Sequence, residues 1–309
     1  MRIVFLGSGS FAIPSFEALL DAGHEVRALV TQPDREKGRG KKLTPPPLKP
    51  VALARGVSVL QPRRVRDTET QEELRRLAPE LQVVAAYGQI LPKSVIEIPP
   101  LGTVNVHGSL LPRLRGAAPI QWAIARGDEE TGVTTMLIDE GLDTGPTLLA
   151  RRIPIGPEET AADLEPRLAR LGADVLLETV SGLSRGTIRP APQDHARATL
   201  APRLEKEDGR LDWSRPAREL AWQVRGFHPW PGAFTTLGDR ALKVRRARLA
   251  DPGPGEPGTV VEVDRQGLVV AAGAGTRLRI LEVQPESRRP MPAVAFAAGA
   301  RVTAGARLG

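Results

Sequence analysis

The sequence predicts an α/β protein in which a domain with a mostly parallel sheet precedes a smaller all-β domain. Three observations carry this. Short apolar runs rich in β-branched residues alternate with amphipathic stretches through Gly182. A polar segment rich in Pro, Ala and Arg, residues 183–209, then breaks the alternation and reads as a linker. After it, short strand candidates recur between Gly/Pro turns, the pattern of a small β-barrel or sandwich.

The elements follow in order. RIVFLG, residues 2–7, is an apolar run ending in glycine and predicts the first strand. FAIPSFEALLDAG, residues 11–23, is amphipathic and closes on Gly23, which predicts a helix. EVRALVT, VSVL, LQVVAAYG, TVNVH and VTTMLI are further strands of the same kind. Helical patterns fall between several of them, so the strands should run largely parallel beneath covering helices. The longest helical pattern runs from Glu159 to Gly182. Thr160 and Asp163 have capping-box spacing there, and Leu164, Leu168, Leu171, Val175 and Leu176 keep a helical period. Pro166 disturbs its early turns. Beyond the linker, SRPARELAWQVRGF predicts one helix, and AFTTL, ALKVRRARL, GTVVEV, GLVVAAG and TRLRILEV predict strands.

Composition narrows the chemistry. A chain of 309 residues with 41% apolar content builds one large or two ordinary domains with a full core. The absence of cysteine excludes disulfides, thiolate metal sites and a cysteine nucleophile. The four histidines, His24, His107, His195 and His228, form no HxH or HxxxH pair, so no metal centre built on histidine is expected. No apolar run reaches the roughly 18 residues of a membrane span. MRIVFLG enters a strand too soon for a signal peptide, so the expected location is cytoplasmic. Net charge is +7, and its placement is uneven. Residues 201–309 hold 18 Lys and Arg against 12 Asp and Glu, whereas residues 1–200 hold 25 against 24. The last third is therefore either a basic solvated surface or a polyanion-binding module.

Three constellations could carry chemistry. GSGSFA, residues 7–12, has the strand–turn–helix outline of a dinucleotide site, with Asp34 placed as a ribose-binding acid; it is equally the tight turn of any βα unit. Residues 31–50 carry six basic and two acidic residues with two glycines and five prolines, a surface loop suited to phosphates. Third, Asn105 and His107 are two apart on a strand and so face one side, about 6.7 Å apart. An imidazole moves protons near neutral pH, and a carboxamide can donate to an oxygen that turns negative as a carbonyl is attacked. Asp143, in the acidic turn DEGLDTG, could orient His107 or could be an ordinary turn aspartate.

The run NVHGSLLPRLRGAAPIQWAIARGDEETGVTTMLIDEGLDTG, residues 105–145, resembles the signature region of the folate-dependent formyltransferases. The matching positions are Asn105 and His107, Ser109 to Pro112, and Asp143. FLGSGSFAIPSFEALL, VTQPDREKGRGKKLTPPPLK, AAYGQILP, LAPRLEKEDGRLDW, GFHPWPGAF and RPMPAVAFAAGARVTAGARLG extend the resemblance over essentially the whole chain, to members that act on charged initiator tRNA. Leu114 departs from it, since the family often carries an aromatic residue there.

The resemblance implies a Rossmann-like formyltransferase domain over residues 1–188, a linker over 189–206, and an OB-like, tRNA-binding β-barrel over 207–309. The implied reaction moves the formyl group of 10-formyltetrahydrofolate directly to the α-amino group of methionyl initiator tRNA. Asn105 and His107 would stabilise the tetrahedral intermediate, and Asp143 would orient His107. Folate would lie against Ser109, Leu110, Leu111 and Pro112, and against Tyr87, Gln89, Ile90 and Leu91 chiefly through backbone. The tRNA would meet Arg39, Lys41 and Lys42 on the loop. On the barrel side it would meet Lys206, Lys243, Arg245, Arg246 and Arg248. Alternation along that strand splits the basic residues, with Lys243, Arg245 and one neighbour toward the RNA. A metal-free monomer away from membranes is implied. Competing readings are formylation of a small amine such as glycinamide ribonucleotide or an amino sugar, an NAD-dependent oxidoreductase built on GSGSFA, and a non-catalytic RNA-binding protein.

Overall fold

The computed structural model describes residues 1–309 with the exception of Arg39. The chain divides into two units. The first comprises Met1–Gly116, Thr131–Ile153 and Glu165–Leu200; the second comprises Ala117–Glu130, Pro154–Leu164 and Ala201–Gly309.

The first unit begins with β1 (Arg2–Gly7), α1 (Ile13–Asp21) and β2 (Glu25–Val30). The basic loop follows as a small antiparallel hairpin of β3 (Arg35–Lys37) and β4 (Lys42–Thr44), then α2 (Leu48–Ala54) and β5 (Val59–Leu60). Next come α3 (Thr68–Arg76), β6 (Leu81–Ala85), α4 (Lys93–Ile96) and β7 (Thr103–His107). After α5 (Pro119–Ala125) in the second unit, β8 (Glu130–Leu137), β9 (Thr147–Pro154) and the long helix α6 (Ala161–Ser184) complete this part of the chain. The sheet order is β5–β2–β1–β6–β7–β8–β9. Pairs β5–β2, β2–β1, β1–β6 and β6–β7 are parallel, and β7–β8 is antiparallel. The mostly parallel sheet expected from the alternation is thus present.

The reason lies in the apolar runs. Ile3, Val4, Phe5 and Leu6 are all fully buried, and β6 is buried along its length, as strands covered on both faces require. Phe5 meets Phe16 of α1 edge-on, with ring centroids 5.4 Å apart. The expected capping box also forms. The Thr160 N–H donates to Asp163 Oδ2 at 3.1 Å, and the Asp163 N–H donates to Thr160 Oγ1 at 3.3 Å. Pro166 lies inside α6 without ending it.

The second unit contains α7 (Ala217–Gly226), β10 (Ala233–Leu237), β11 (Arg240–Ala250), β12 (Val260–Asp264), β13 (Gly267–Ala271), β14 (Arg277–Pro285), β15 (Met291–Pro292) and α8 (Ala293–Ala300). Its strands form one antiparallel sheet in the order β10–β11–β14–β13–β12, with β15 on β14. Residues near the C-terminus pair with both ends of that order. Leu308 bridges Leu237 at the end of β10, and Arg307 bridges Thr259 just before β12. The helix α5 belongs to this unit because it packs on α7. A Cβ on Gly226 would come within 2.6 Å of the Ala125 nitrogen, so only glycine permits the approach, and Trp122 meets Phe227 edge-on beside it.

A bulge in β11 alters the expected split of basic residues. The register against β14 shifts between Val244 and Arg246 and again before Ala247. Leu242, Val244 and Ala247 are therefore the buried positions, whereas Lys243, Arg246 and Arg248 are exposed. Arg245 is half-buried beside Glu282, with an N···O distance of 3.5 Å. The extra residue resets the alternation, which a strict period of two cannot anticipate.

The core of this unit carries a directional bond. Trp213, buried, donates from Nε1 to Thr235 Oγ1 at 3.0 Å. Trp213→Phe should lower unfolding free energy by about 1–2 kcal/mol. The check is a lower denaturant midpoint at unchanged m-value.

Candidate active site

Asn105 and His107 occupy the C-terminal half of β7. Between them Val106 points the other way, since its Cγ1 lies 3.0 Å from the position a Cβ on Gly172 of α6 would take. Asn105 and His107 therefore face away from α6, as strand alternation demands. His107 is only 5% exposed, and Asn105 is half-buried. The loop after β8 brings Asp143 to them. His107 Nδ1 lies 3.6 Å from Asp143 Oδ2, and Asn105 Nδ2 donates a long hydrogen bond of 3.4 Å to Asp143 Oδ1. The Gly116 N–H donates to Asp143 Oδ2 at 2.8 Å. The third group suspected from sequence thus meets the other two.

His107 Nε2 lies 2.9 Å from the carbonyl oxygen of Leu114. A carbonyl only accepts, so Nε2 carries the hydrogen and Nδ1 faces the carboxylate. Leu114 takes a left-handed backbone conformation, φ 59°, and its N–H donates to Thr199 Oγ1 at 2.9 Å. The residue that departs from the family pattern thus touches His107 through its backbone.

Glycine is required in the acidic loop. A Cβ on Gly145 would lie 1.9 Å from the Leu137 carbonyl oxygen. Asp143 itself has φ 51°.

The segment Ser109–Pro112 follows β7 directly. Ser109 is fully buried and its hydroxyl donates to the Arg113 carbonyl at 2.6 Å, so it serves the turn. Thr134 Oγ1 donates to the Ser109 carbonyl at 2.7 Å. Leu110, Leu111 and Pro112 are half-buried. Tyr87 and Leu91 join an apolar cluster with Val4, Leu6 and Val84. Burial pushes the Tyr87 phenol well above its usual range. The Gln89 side chain is engaged with the Val65 N–H at 2.9 Å, and Ile90 is fully solvated at 92% exposure. What the 87–91 segment can offer a ligand is thus backbone, together with the exposed Ile90 side chain.

The GSGSFA turn has other duties than phosphate binding. The N–H groups of Ser8 and Gly9 both donate to the Ala86 carbonyl, at 3.2 and 3.4 Å. A Cβ on Gly7 would lie 2.7 Å from the Phe5 ring. Asp34 is paired with Lys49 at 2.9 Å and accepts from Gln61 Nε2 at 2.7 Å. The Gln61 bond first, and then Lys49, hold its carboxyl below the usual range. Two N–H groups of the turn, and the acid placed for a ribose, are thus already engaged within the protein.

Among the basic residues, Lys41, Lys42 and Lys206 are exposed, like Lys243, Arg246 and Arg248. Arg39 lies outside the described residues. Among the described residues no group of three His, Asp or Glu is placed to hold a metal ion, and no helix is long and apolar enough to cross a membrane. Two site residues escaped the sequence reading. Arg115 and Gln193 are both buried beside the acidic loop, and Gln193 falls in the stretch read as a linker. An isolated glutamine in a polar run carries no period or motif that would single it out.

An imidazole, a carboxamide and a carboxylate at the carboxyl end of a parallel strand are groups suited to moving a proton and to stabilising an oxyanion formed at a carbonyl carbon. The chain belongs to the formyl transferase family, whose N-terminal pattern matches residues 1–180 and whose C-terminal domain matches residues 203–301. It is similar to the methionyl-tRNA formyltransferase of Myxococcus xanthus, 53% identical over 306 residues that span 99% of this chain and 97% of that protein. The corresponding protein of Geobacter sulfurreducens is 50% identical over 309 residues, 100% of this chain and 97% of that one. Among solved structures, the methionyl-tRNA formyltransferase from Clostridium thermocellum covers 81% of this chain and 94% of its own, with TM-score 0.55 and 19% identity. The sugar 3N-formyl transferase WlaRD covers 94% and 99%, with TM-score 0.69 and 17% identity. Likeness at such identities is one of fold.

Proposed function

We propose that this chain transfers the formyl group of 10-formyltetrahydrofolate to the α-amino group of methionyl initiator tRNA, giving N-formylmethionyl-tRNA for translation initiation. The observation that carries the reading is the meeting of Asn105, His107 and Asp143 in a chain whose full-length relatives bear that activity in their names.

The residues divide the work as follows. Asn105 donates from its carboxamide to the formyl oxygen as that oxygen gains negative charge. The attacking amine must lose a proton. His107 holds its Nε2–H on Leu114, which leaves Nδ1, on the Asp143 side, to accept it. Asp143 is the more exposed of the two, 16% against 5% by side chain, so the proton reaches Nδ1 by way of the carboxylate. The cation formed then gives its proton to N10 as the bond between N10 and the formyl carbon breaks, so tetrahydrofolate leaves as an amine and neutral His107 is restored. Leu110, Leu111 and Pro112 offer an apolar wall to the folate, with backbone contacts from the 87–91 segment.

The N-terminal part, residues 1–188, is read as catalytic and residues 207–309 as a tRNA-binding, OB-like barrel, joined through 189–206. The C-terminal residues that pair with both β10 and the start of β12 support the barrel reading. Lys206, Lys243, Arg245, Arg246 and Arg248, together with the loop residues Arg39, Lys41 and Lys42, supply phosphate contacts. The protein is read as a cytoplasmic monomer without a metal.

Transfer of labelled formyl to methionyl-tRNA, with free methionine and glycinamide ribonucleotide as competing acceptors, tests the reading. Label on tRNA alone is expected, and preferential labelling of a small amine overturns it. Affinity for the tRNA should also fall by about 10²-fold between 50 and 200 mM salt if roughly four phosphates are neutralised. Filter binding at graded salt measures the slope.

A further inference from the structure

Asp143 holds a backbone conformation that L residues seldom adopt, φ 51°, and its carboxylate must stay aimed at β7. Within the loop, Asp139 Oδ1 accepts from the Gly141 N–H at 3.0 Å and from Thr144 Oγ1 at 2.6 Å. Those bonds shape the turn without reaching the Asp143 peptide. Bonds to that peptide come from a residue 50 positions further along the chain. Gln193 donates from Nε2 to the Asp143 carbonyl at 2.9 Å and to the Gly145 carbonyl at 2.7 Å, spanning Thr144.

The Gln193 carboxamide cannot turn over. Its Oε1 accepts from Arg115 Nε at 3.1 Å and Nη2 at 2.6 Å, while its amide meets two carbonyls. A flipped amide would set oxygen against carbonyl oxygens and N–H groups against a guanidinium. Paired backbone bonds between Thr147 and Ala191, both 2.8 Å, hold the segment that carries Gln193 against the loop's exit.

Arg115 joins this clamp to the rest of the site. It is 6% exposed, and its Nη2 also lies 3.2 Å from His195 Nδ1. Burying a guanidinium is unfavourable unless its donors are matched, and here the matching partners fix a loop. Its chain neighbours complete the circuit, since the Leu114 carbonyl accepts from His107 and the Gly116 N–H donates to Asp143. Three consecutive residues therefore reach His107, Gln193 and Asp143.

We propose that Gln193, clamped by Arg115, is a positioning residue for the transfer reaction, holding Asp143 in register with Asn105 and His107. This rests on the reading of those three residues as the catalytic set. Misplacing a catalytic group by about 1 Å costs on the order of 10²-fold in rate, so a clamp on Asp143 acts on turnover more than on substrate binding.

Gln193→Glu tests it in the full chain. The substitution keeps an oxygen for Arg115 and sets a carboxylate oxygen against the two loop carbonyls. The expected result is a fall in kcat on the order of 10- to 100-fold, with KM for both substrates little changed. Added to Asp143→Ala, it should lower kcat no further, because Gln193 works through Asp143. A purely structural role predicts instead an unchanged kcat per folded molecule, or losses that add in the double variant, and either result overturns the proposal. Gln193→Met, which removes the donors without burying a charge, carries the same outcomes if Gln193→Glu does not fold. The single variant Asp143→Ala separates the two ideas. Full activity there defeats the catalytic reading, whereas an impaired Asp143→Ala beside a normal Gln193→Glu defeats only the clamp.

Discussion

Replacing His107 should lower kcat by about 10²–10⁴, the range for loss of a positioned proton-transfer group. His107→Ala also leaves a cavity and an unmatched Leu114 carbonyl, because the ring is buried and its Nε2–H meets that oxygen. His107→Gln separates the two effects. Its amide can still donate toward Leu114, so the fold is retained, but it cannot accept a proton. Both variants should therefore be slow, with only His107→Ala showing a lowered unfolding midpoint. Single-turnover formyl transfer with saturating donor is the measurement, and a His107→Gln enzyme at normal rate would remove His107 from the chemistry.

Asn105→Ala should reduce kcat by about 10²–10³, the loss seen when one donor to a developing oxyanion is removed. The effect should fall on kcat and kcat/KM alike, because the donor acts in the transition state and the ground state needs it little. Asn105→Asp should be no better than alanine. It exchanges the donor for a second carboxylate at the 3.4 Å contact with Asp143, where two negative charges oppose each other. Steady-state rates for the pair decide the matter. An active Asn105→Asp would mean that the carboxamide donates nothing essential.

Much of the chain up to the end of α6 could be read from local pattern. The β1 and β6 runs are uninterrupted because both faces of a central parallel strand are covered, and the α6 cap was visible in the spacing of Thr160 and Asp163. Other elements were hidden. The hairpin β3–β4 lies in a stretch whose prolines and charges signal only a loop, and β9 has no buried face to impose a period. The bulge in β11 changed which basic side chains face solvent, since one extra residue shifts a period of two. For Ser109, the fold decided that the hydroxyl closes its own turn onto Arg113.

By itself, the sequence determined that this is an α/β chain with Asn105 and His107 on one side of a strand. It also determined that an aspartate follows on a glycine-bounded turn and that the basic excess lies in the last third. These are properties of neighbouring residues, and short-range periodicity encodes them. Only the tertiary structure decided that Asp143 reaches His107, that Leu114 sets the imidazole tautomer, and that Arg115 and Gln193, 78 positions apart, lock the loop between them. Such contacts depend on where the sheet and its crossing segments bring distant residues together, and the spacing of residues along the chain carries no trace of that.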